Sequence, residues 1–368
     1  MEMMRRSSSS SSSSTTAVMI ILLLQIICFL ISSSIITIPS ATALGFSCTT
    51  NSSSSAITCL AMIDYVVSPT NRSLADIANL FGVSFFSIVG ANSLPLSTSP
   101  YKTVEVNQTI KIPFQCTCTF NSYHGMSENA PIYTVNPGDS LPYIANEVFS
   151  GLVPYQEIAS VNGISNPDMI LVAIKLWIPL PCSCDTVGGD QVVHYAHVVS
   201  KEEGSSVSVG QIAQEYGTTT ATLLQLNGLL PNQTQLPAGQ LIDVPLRACK
   251  SMVGNNSLDY PLLVPNGTTV STANNCVQCT CESSNNWTLH CEPFQGSTST
   301  WCSSMQCQGG LNLGSSTMSP CTTCSYAGFT NETILKTLTN TCSADAEVAS
   351  NGNNSDIAIG NISLLYLH

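Results

Sequence analysis

The sequence predicts an α+β chain: three small units, each ordered strand–helix–helix–strand, followed by a disulfide-rich C-terminal domain. Three observations point there. One phrase recurs, as Ile112-Pro113 before Cys116, Ile178-Pro179 before Cys182 and Val244-Pro245 before Cys249, and its prolines stand 66 residues apart in both steps. Within each repeat the apolar residues change from alternation to a three- and four-residue spacing and back, the signature of strands flanking helices. Finally, once Cys28 is set aside with an N-terminal leader, the 17 cysteines leave an even set of 16 from Cys48 to Cys342. A unit recurring at this length is one small fold used repeatedly, so function belongs to a repeated surface.

The elements follow in order. Arg5 and Arg6, the apolar stretch Ala17 to Ile31 and the small residues Ala41-Thr42-Ala43 read as a secretory leader over 1–43, cut after Ala43. The same stretch would serve as a retained anchor; the small-residue site favours removal. The first unit occupies 44–118, with Ser73 capping a helix from Leu74 to Phe81 that Gly82 ends.

The second unit, 119–184, is the plainest. Ile132 to Val135 alternates as a strand, Asn136-Pro137-Gly138-Asp139 supplies turn chemistry, and Ser140 caps a helix whose Leu141, Ile144, Ala145 and Val148 share one face. Pro154 suits the first turn of a second helix carrying Ile158, Ala159 and Val161, which Asn162-Gly163 stops before the strand Ile174 to Ile178. The third unit, 185–249, places Val209, Ile212, Ala213 and Tyr216 before Gly217, and Thr220 opens Ala221 to Leu226. Each pair of strands is expected to run antiparallel with both helices on one face, the arrangement that buries so few apolar side chains together.

An even cysteine count in an exported chain argues for disulfides. For Cys276, Cys279, Cys281 and Cys291, with His290 nearby, the spacing also fits zinc, but the oxidising compartment and the scarcity of histidine favour disulfides, and no metal or cofactor is expected. Ten Asn-X-Ser/Thr sequons, at Asn51, Asn71, Asn107, Asn232, Asn255, Asn266, Asn286, Asn331, Asn353 and Asn361, agree with export and imply a surface largely coated by glycans.

Formal charge is −12, and removal of Glu2, Arg5 and Arg6 leaves 8 basic against 21 acidic residues. With no basic stripe, nucleic acid and anionic lipid are poor partners. Charged residues make up only 9% of the chain, which suits a neutral ligand.

No nucleophile elbow, His-Glu-X-X-His or phosphate loop occurs, so no catalytic residue is assigned. His124, His194, His197, His290 and His368 read as surface or packing residues. Asp139, Glu157 and Asp168 are the carboxylates a glycan hydrolase would need, but Glu157 has no acidic counterpart in the other repeats and reads as a solvated helix face.

The run from Tyr133 to Leu141, with Ile144-Ala145, Val161-Asn162-Gly163 and Ile178-Pro179, resembles a lysin motif (LysM), a small βααβ carbohydrate-binding module. Three copies separated by Cys116-Thr117-Cys118 and Cys182-Ser183-Cys184 resemble the extracellular LysM receptors of plants, and the tail beginning Cys276-Val277-Gln278-Cys279-Thr280-Cys281 resembles their GPI-anchored members. The resemblance implies bonds Cys48–Cys118, Cys59–Cys184 and Cys116–Cys182, which would clamp the modules into one body. It also implies a receptor in innate immunity for N-acetylglucosamine polymers, chitin or bacterial peptidoglycan. Having no kinase domain here, such a receptor would signal through a LysM receptor kinase, with a homodimer bridged by ligand as a further possibility. The alternatives are a wall glycan hydrolase and a structural wall glycoprotein.

The expected groove is formed by two loops of the second unit: Pro137, Gly138, Asp139, Ser140 and Leu141 from one, and Ile164, Ser165, Asn166, Pro167, Asp168, Met169 and Ile170 from the other. Their backbone groups could bond an N-acetyl group while Leu141, Ile164 or Ile170 covers its methyl. Sequons at Asn71 and Asn232 fall in the corresponding loops of the first and third units, which makes the second the preferred site. The region 250–342 is a Cys-rich domain, and 343–368 is a polar, disordered tail. Ser350 to Ser355 there supply small residues for a GPI signal whose apolar part, Ile357 to His368, is short and broken by Gly360, Asn361 and Ser363. The protein is therefore expected outside the cell, at the outer face of the plasma membrane if anchored and secreted otherwise.

Overall fold

The computed structural model describes residues 46–48, 57–118, 124–199, 207–296, 302–318, 321–331 and 333–340. The leader 1–43, the tail 343–368, the sequons at Asn51, Asn353 and Asn361, and Cys342 lie outside them. Among the described residues no single helix is long and apolar enough to cross a membrane.

Strand–helix–helix–strand order recurs three times. The first unit runs from strand Ile57–Val66 through helices Leu74–Phe81 and Phe85–Ala91 to strand Thr109–Cys118. In the second, strand Ile132–Thr134 leads to a helical segment, Leu141–Tyr143 continuing as the wider turn Ile144–Val148, then to helix Tyr155–Val161 and strand Lys175–Trp177. The third joins strand Val192–Val198, helices Val209–Glu215 and Thr220–Leu226, and strand Leu241–Cys249.

The capping residues are local in origin. Ser73 accepts from the Asp76 amide, and the Asp76 carboxylate in turn accepts from the Ser73 amide, while Gly82 closes that helix at φ 65°. Two caps stand one residue from the sequence expectation: Pro154 precedes its helix rather than opening it, and Thr219, not Thr220, accepts from the Thr222 amide. In the first case an extended Pro154 (ψ 140°) still presets φ for the turn that follows.

The repeated asparagine does more than end a helix. Asn92 donates to the carbonyls of Ile88 (2.8 Å) and Lys111 (2.9 Å) and accepts from the Lys111 amide (2.9 Å). Asn162 makes the same three bonds, with Ile158 and Trp177, and Asn227 does so with Leu223 and Asp243. One amide side chain thus satisfies a helix-terminal carbonyl and both backbone groups of the returning strand, closing each unit with a clamp that neither Asp nor Ala can reproduce.

Within each unit the strands pair antiparallel, but the sheets are not independent. Ala61–Ile63 pairs in parallel with His194–Ala196, so the strands of the first and third units merge into a seven-stranded sheet. The second unit keeps a two-stranded ladder, Ile132–Thr134 against Lys175–Trp177, and reaches the large sheet only through Gly125–Ser127 and Pro181–Cys182, its flanking segments.

Three disulfides cross this junction: Cys48–Cys118, Cys59–Cys184 and Cys116–Cys182, with sequence separations of 70, 125 and 66. Loops of that length contribute about 4–5 kcal/mol each in the chain-entropy account. Gly125 sits where they converge: a Cβ there would lie 2.8 Å from the Cys48 sulfur and 2.9 Å from that of Cys116. An edge-on aromatic series, Tyr65 to Phe81 to Phe149 to Tyr133, packs the second unit against the first.

The C-terminal region forms two three-stranded sheets around a core rich in cystine, including Cys249–Cys281, Cys276–Cys302, Cys279–Cys291 and Cys307–Cys324. The sulfurs of the cluster that could be read as zinc ligands are therefore all engaged in S–S bonds. This region packs on the first unit, where helix Phe85–Ala91 meets strand Thr269–Thr272 so closely that a Cβ on Gly90 would lie 2.0 Å from the Thr269 carbonyl oxygen.

The buried ionisable groups Asp64, His194 and Asp243 lie along the merged sheet. Asp64 accepts from the Tyr195 hydroxyl, from the Val198 amide at 3.1 Å, and pairs with His197 Nδ1 at 2.8 Å, tying the first unit to the third. His194, wholly buried, has the Asp243 carboxylate on Nδ1 at 2.8 Å and the Asp185 carbonyl on Nε2 at 2.8 Å. The Asp185 carbonyl requires a proton on Nε2, and the carboxylate beside Nδ1 favours one there as well. Burial opposes that charge, but the carboxylate outweighs it and holds the imidazole above its ordinary pKa.

Candidate functional site

At the end of each unit the first strand runs one residue beyond its ladder and exchanges two backbone bonds with the second loop. In the second unit the Val135 amide donates to Ile174 and its carbonyl accepts from Ala173; Val67 does this with Gln108 and Asn107, and Val199 with Gln240 and Gly239. The residue returning the bond has positive φ in all three, 68° at Ala173, 68° at Asn107 and 81° at Gly239. Both loops of a unit consequently leave the same end of its ladder.

In the first loop of the second unit, Asp139 folds back on the turn. Its carboxylate accepts from the Asn136 amide (2.7 Å) and the Tyr133 hydroxyl (2.8 Å), and Asn136 donates to the Tyr133 oxygen (2.9 Å). Burial, and next the bond to Asp139, push the Tyr133 phenol up to about 12. Asp139 is thus a turn-holding acceptor rather than a free acid. Pro137 and Gly138 are exposed, and the space above Gly138 (φ 91°) is open for 4 Å. Ser140 is partly exposed and accepts from the Tyr143 amide.

Leu141 needs correction. Expected as a groove wall, it is fully buried, because the spacing that places it on one face with Ile144, Ala145 and Val148 directs it into the core.

The second loop follows the Asn162 clamp. Ile164 is half-buried and bonds back to Ala159, and Asn166 caps a turn by accepting from the Asp168 amide at 3.1 Å. Ser165, Asn166 and Asp168 are exposed, while Pro167 and Ile170 are partly covered. Beyond them the chain carries an apolar ledge: Met169 is 75% exposed, Leu171 73% and Val172 55%. The last two extend the site past the boundary expected from sequence; four consecutive apolar residues, 169–172, with no helical or strand period were the signal. Glu157, on the helix Tyr155–Val161, has its carboxyl raised by burial and stands apart from both loops in sequence.

The other two ends differ. In the first unit the sequon residue Asn71 reaches across and accepts from the Val106 amide of the second loop at 2.8 Å, and Asn107, another sequon, is itself the positive-φ residue. In the third, Asn232 lies in the second loop. Between Asn107 and Asn232 there is no sequon, so the second unit's end alone carries none of these acceptors. It offers exposed backbone donors and acceptors beside a small apolar ledge, suited to gripping a neutral polar ligand with an apolar substituent.

A family model for the LysM domain matches residues 133–179 and 197–245, the second and third units. The chain is 44% identical over 297 residues to LysM domain-containing GPI-anchored protein 2 of Arabidopsis thaliana, covering 79% of this chain and 82% of that protein. It is 41% identical over 300 residues to the chitin elicitor-binding protein of Oryza sativa subsp. japonica, covering 80% of each. Among solved structures, the LYK3 ectodomain aligns with a TM-score of 0.41 at 20% identity, over 51% of this chain and 91% of that one.

Proposed function

This chain belongs to the plant LysM domain-containing GPI-anchored proteins, and we propose that it is an extracellular receptor for N-acetylglucosamine polymers, chitin fragments or peptidoglycan, in plant innate immunity. The observation that carries the reading is the open, sequon-free end of the second unit, where the ledge at Met169–Val172 lies beside exposed turns. Backbone groups of the two loops hold the N-acetyl amide, and Ile164, Ile170 and the ledge cover its methyl and the sugar face.

The three units, 44–118, 119–184 and 185–249, act as LysM modules, and 250–342 braces the first of them. The protein works at the outer face of the plasma membrane or as a secreted form. A single shallow groove binds weakly, so two copies on one glycan chain, or one copy beside a LysM receptor kinase, raise the effective concentration. That kinase carries the signal inward.

Calorimetric titration of the secreted, glycosylated protein with N-acetylglucosamine oligomers of increasing length tests this. Affinity rising with length and oligomers recovered intact are expected. Heat without length dependence opposes a multi-subsite groove, and shortened product would make the protein a hydrolase.

A further inference from the structure

A second cleft lies far along the chain from those loops, between the third unit and the C-terminal region. It has a volume of about 990 Å³, at the upper end of the roughly 300–1,000 Å³ usual for small-molecule sites. One wall is the turn before strand Val192–Val198, where Gly188 and Gly189 have positive φ and leave the space beside them open. Another is the start of helix Thr220–Leu226. The end of strand Leu241–Cys249 and the segment leading to Leu263 complete it.

The chemistry of this lining differs from that of the second unit. Thr218, Thr222, Gln191 and Gln225 present hydroxyl and amide groups, and Tyr260, 50% exposed, presents a ring face. Arg247 and Lys250 add two cations, from a chain with 8 outside its leader. Neither has a carboxylate within ion-pair distance among the described residues. The Arg247 guanidinium lies 4.0 Å from the centre of the Trp287 ring, which holds it in place. Asp190, on the opposite turn, is the carboxylate of the lining.

We propose that this cleft binds a carboxylated sugar: Arg247 and Lys250 take the carboxylate, the hydroxyls and amides take the sugar hydroxyls, and Tyr260 stacks on the ring. Such a unit occurs as a uronic acid in plant wall polymers and as the lactyl-bearing sugar of peptidoglycan. An overall charge of −12 does not oppose it, because screening confines surface charges to about 8 Å at physiological salt, and the local pair decides. A guanidinium matches a carboxylate with two parallel hydrogen bonds, which gives direction as well as charge.

The test titrates the glycosylated full chain with trigalacturonic acid, with an N-acetylglucosamine–N-acetylmuramic acid disaccharide, and with a neutral chitin trimer. Binding of either carboxylated saccharide is expected, and which one binds identifies the source. That binding should weaken at least tenfold in Lys250→Glu, fall with added salt, and persist in the presence of the chitin trimer. Arg247→Gln should act in the same direction, but because it also loosens Trp287, the exposed Lys250 is the deciding position. Lys250→Glu should leave the thermal midpoint and chitin-oligomer binding as they were. Silence with both carboxylated saccharides, unchanged affinity in Lys250→Glu, or displacement by the chitin trimer would overturn the proposal.

Discussion

In the first and third units the long strands lie side by side in one sheet, whereas the second unit holds to a short ladder of its own and is tied to its neighbours by cystine and aromatic contacts. The skeleton is the same in all three. Each has the asparagine clamp, the valine that exchanges two bonds with the second loop, and a helix cap from a hydroxyl side chain. What differs is the loop end, bridged and bearing sequons in the first, bearing one in the third, and bare in the second. Residues that recur hold the fold; the positions where the copies part are where the proposed recognition is placed.

The clamp gives the largest contrast. Asn227→Ala strands both backbone groups of Asp243, at about 1–3 kcal/mol for each buried group left unpaired, while the Leu223 carbonyl keeps its bond from the backbone amide of residue 227. Asn162→Ala breaks the same three bonds at a half-buried position, where water can replace them, and should cost less. Urea denaturation of both variants measures the gap; equal losses would mean that the merged sheet lends the third unit nothing.

Next is the contact that covers the first unit. Gly90→Ala puts a methyl against the Thr269 carbonyl and should destabilise by about 1–3 kcal/mol, as overpacking does. Gly138→Ala, at the open end of the second unit, meets no neighbour and costs only what its positive φ demands. Thermal melts that rank the two in the reverse order would remove the distinction between a covered and an open end.

A smaller effect separates the units by pH. The folded pKa of His194 is raised, so its contribution is complete below the unfolded value of about 6.5 and is lost as pH rises through the folded one. Stability should therefore decline on the alkaline side of 6.5, and His194→Gln should flatten that decline. Among the described residues the second unit shows no histidine–carboxylate ion pair, so its loop-end binding should show no matching transition; a titration of ligand affinity over the same range checks this.

Much of this could be read from the chain before any coordinates. Ser73, Ser140, Gly82 and the apolar faces of the helices are local matters, decided within four residues, and they stand where spacing places them. Asn162 is read from the sequence only as a helix stop, because the second partner of Asn162, as of Asn92 and Asn227, lies 15 to 19 residues on, in the returning strand. The union of the first and third sheets was out of reach, since alternation marks a strand without naming its neighbour. Leu141 shows the opposite failure: its helical spacing already spoke for the core, and its nearness to the turn misled.

The second unit's loop end also allows a gentler probe. Ile170→Ala removes apolar contact worth about 1–2 kcal/mol, roughly fivefold to thirtyfold in Kd for a chitin oligomer, with little change in stability because the side chain is only partly buried.

The most direct measurement places a glycan where the second unit has none. Met169→Asn together with Leu171→Thr writes a sequon across the exposed ledge, at two positions that are 75% and 73% exposed and so bear little on folding. Calorimetry with chitin oligomers should then show binding abolished in the glycosylated double variant and retained, though weaker, in the same protein after enzymatic deglycosylation. Undiminished binding with the glycan in place would contradict the assignment of recognition to this end of the molecule.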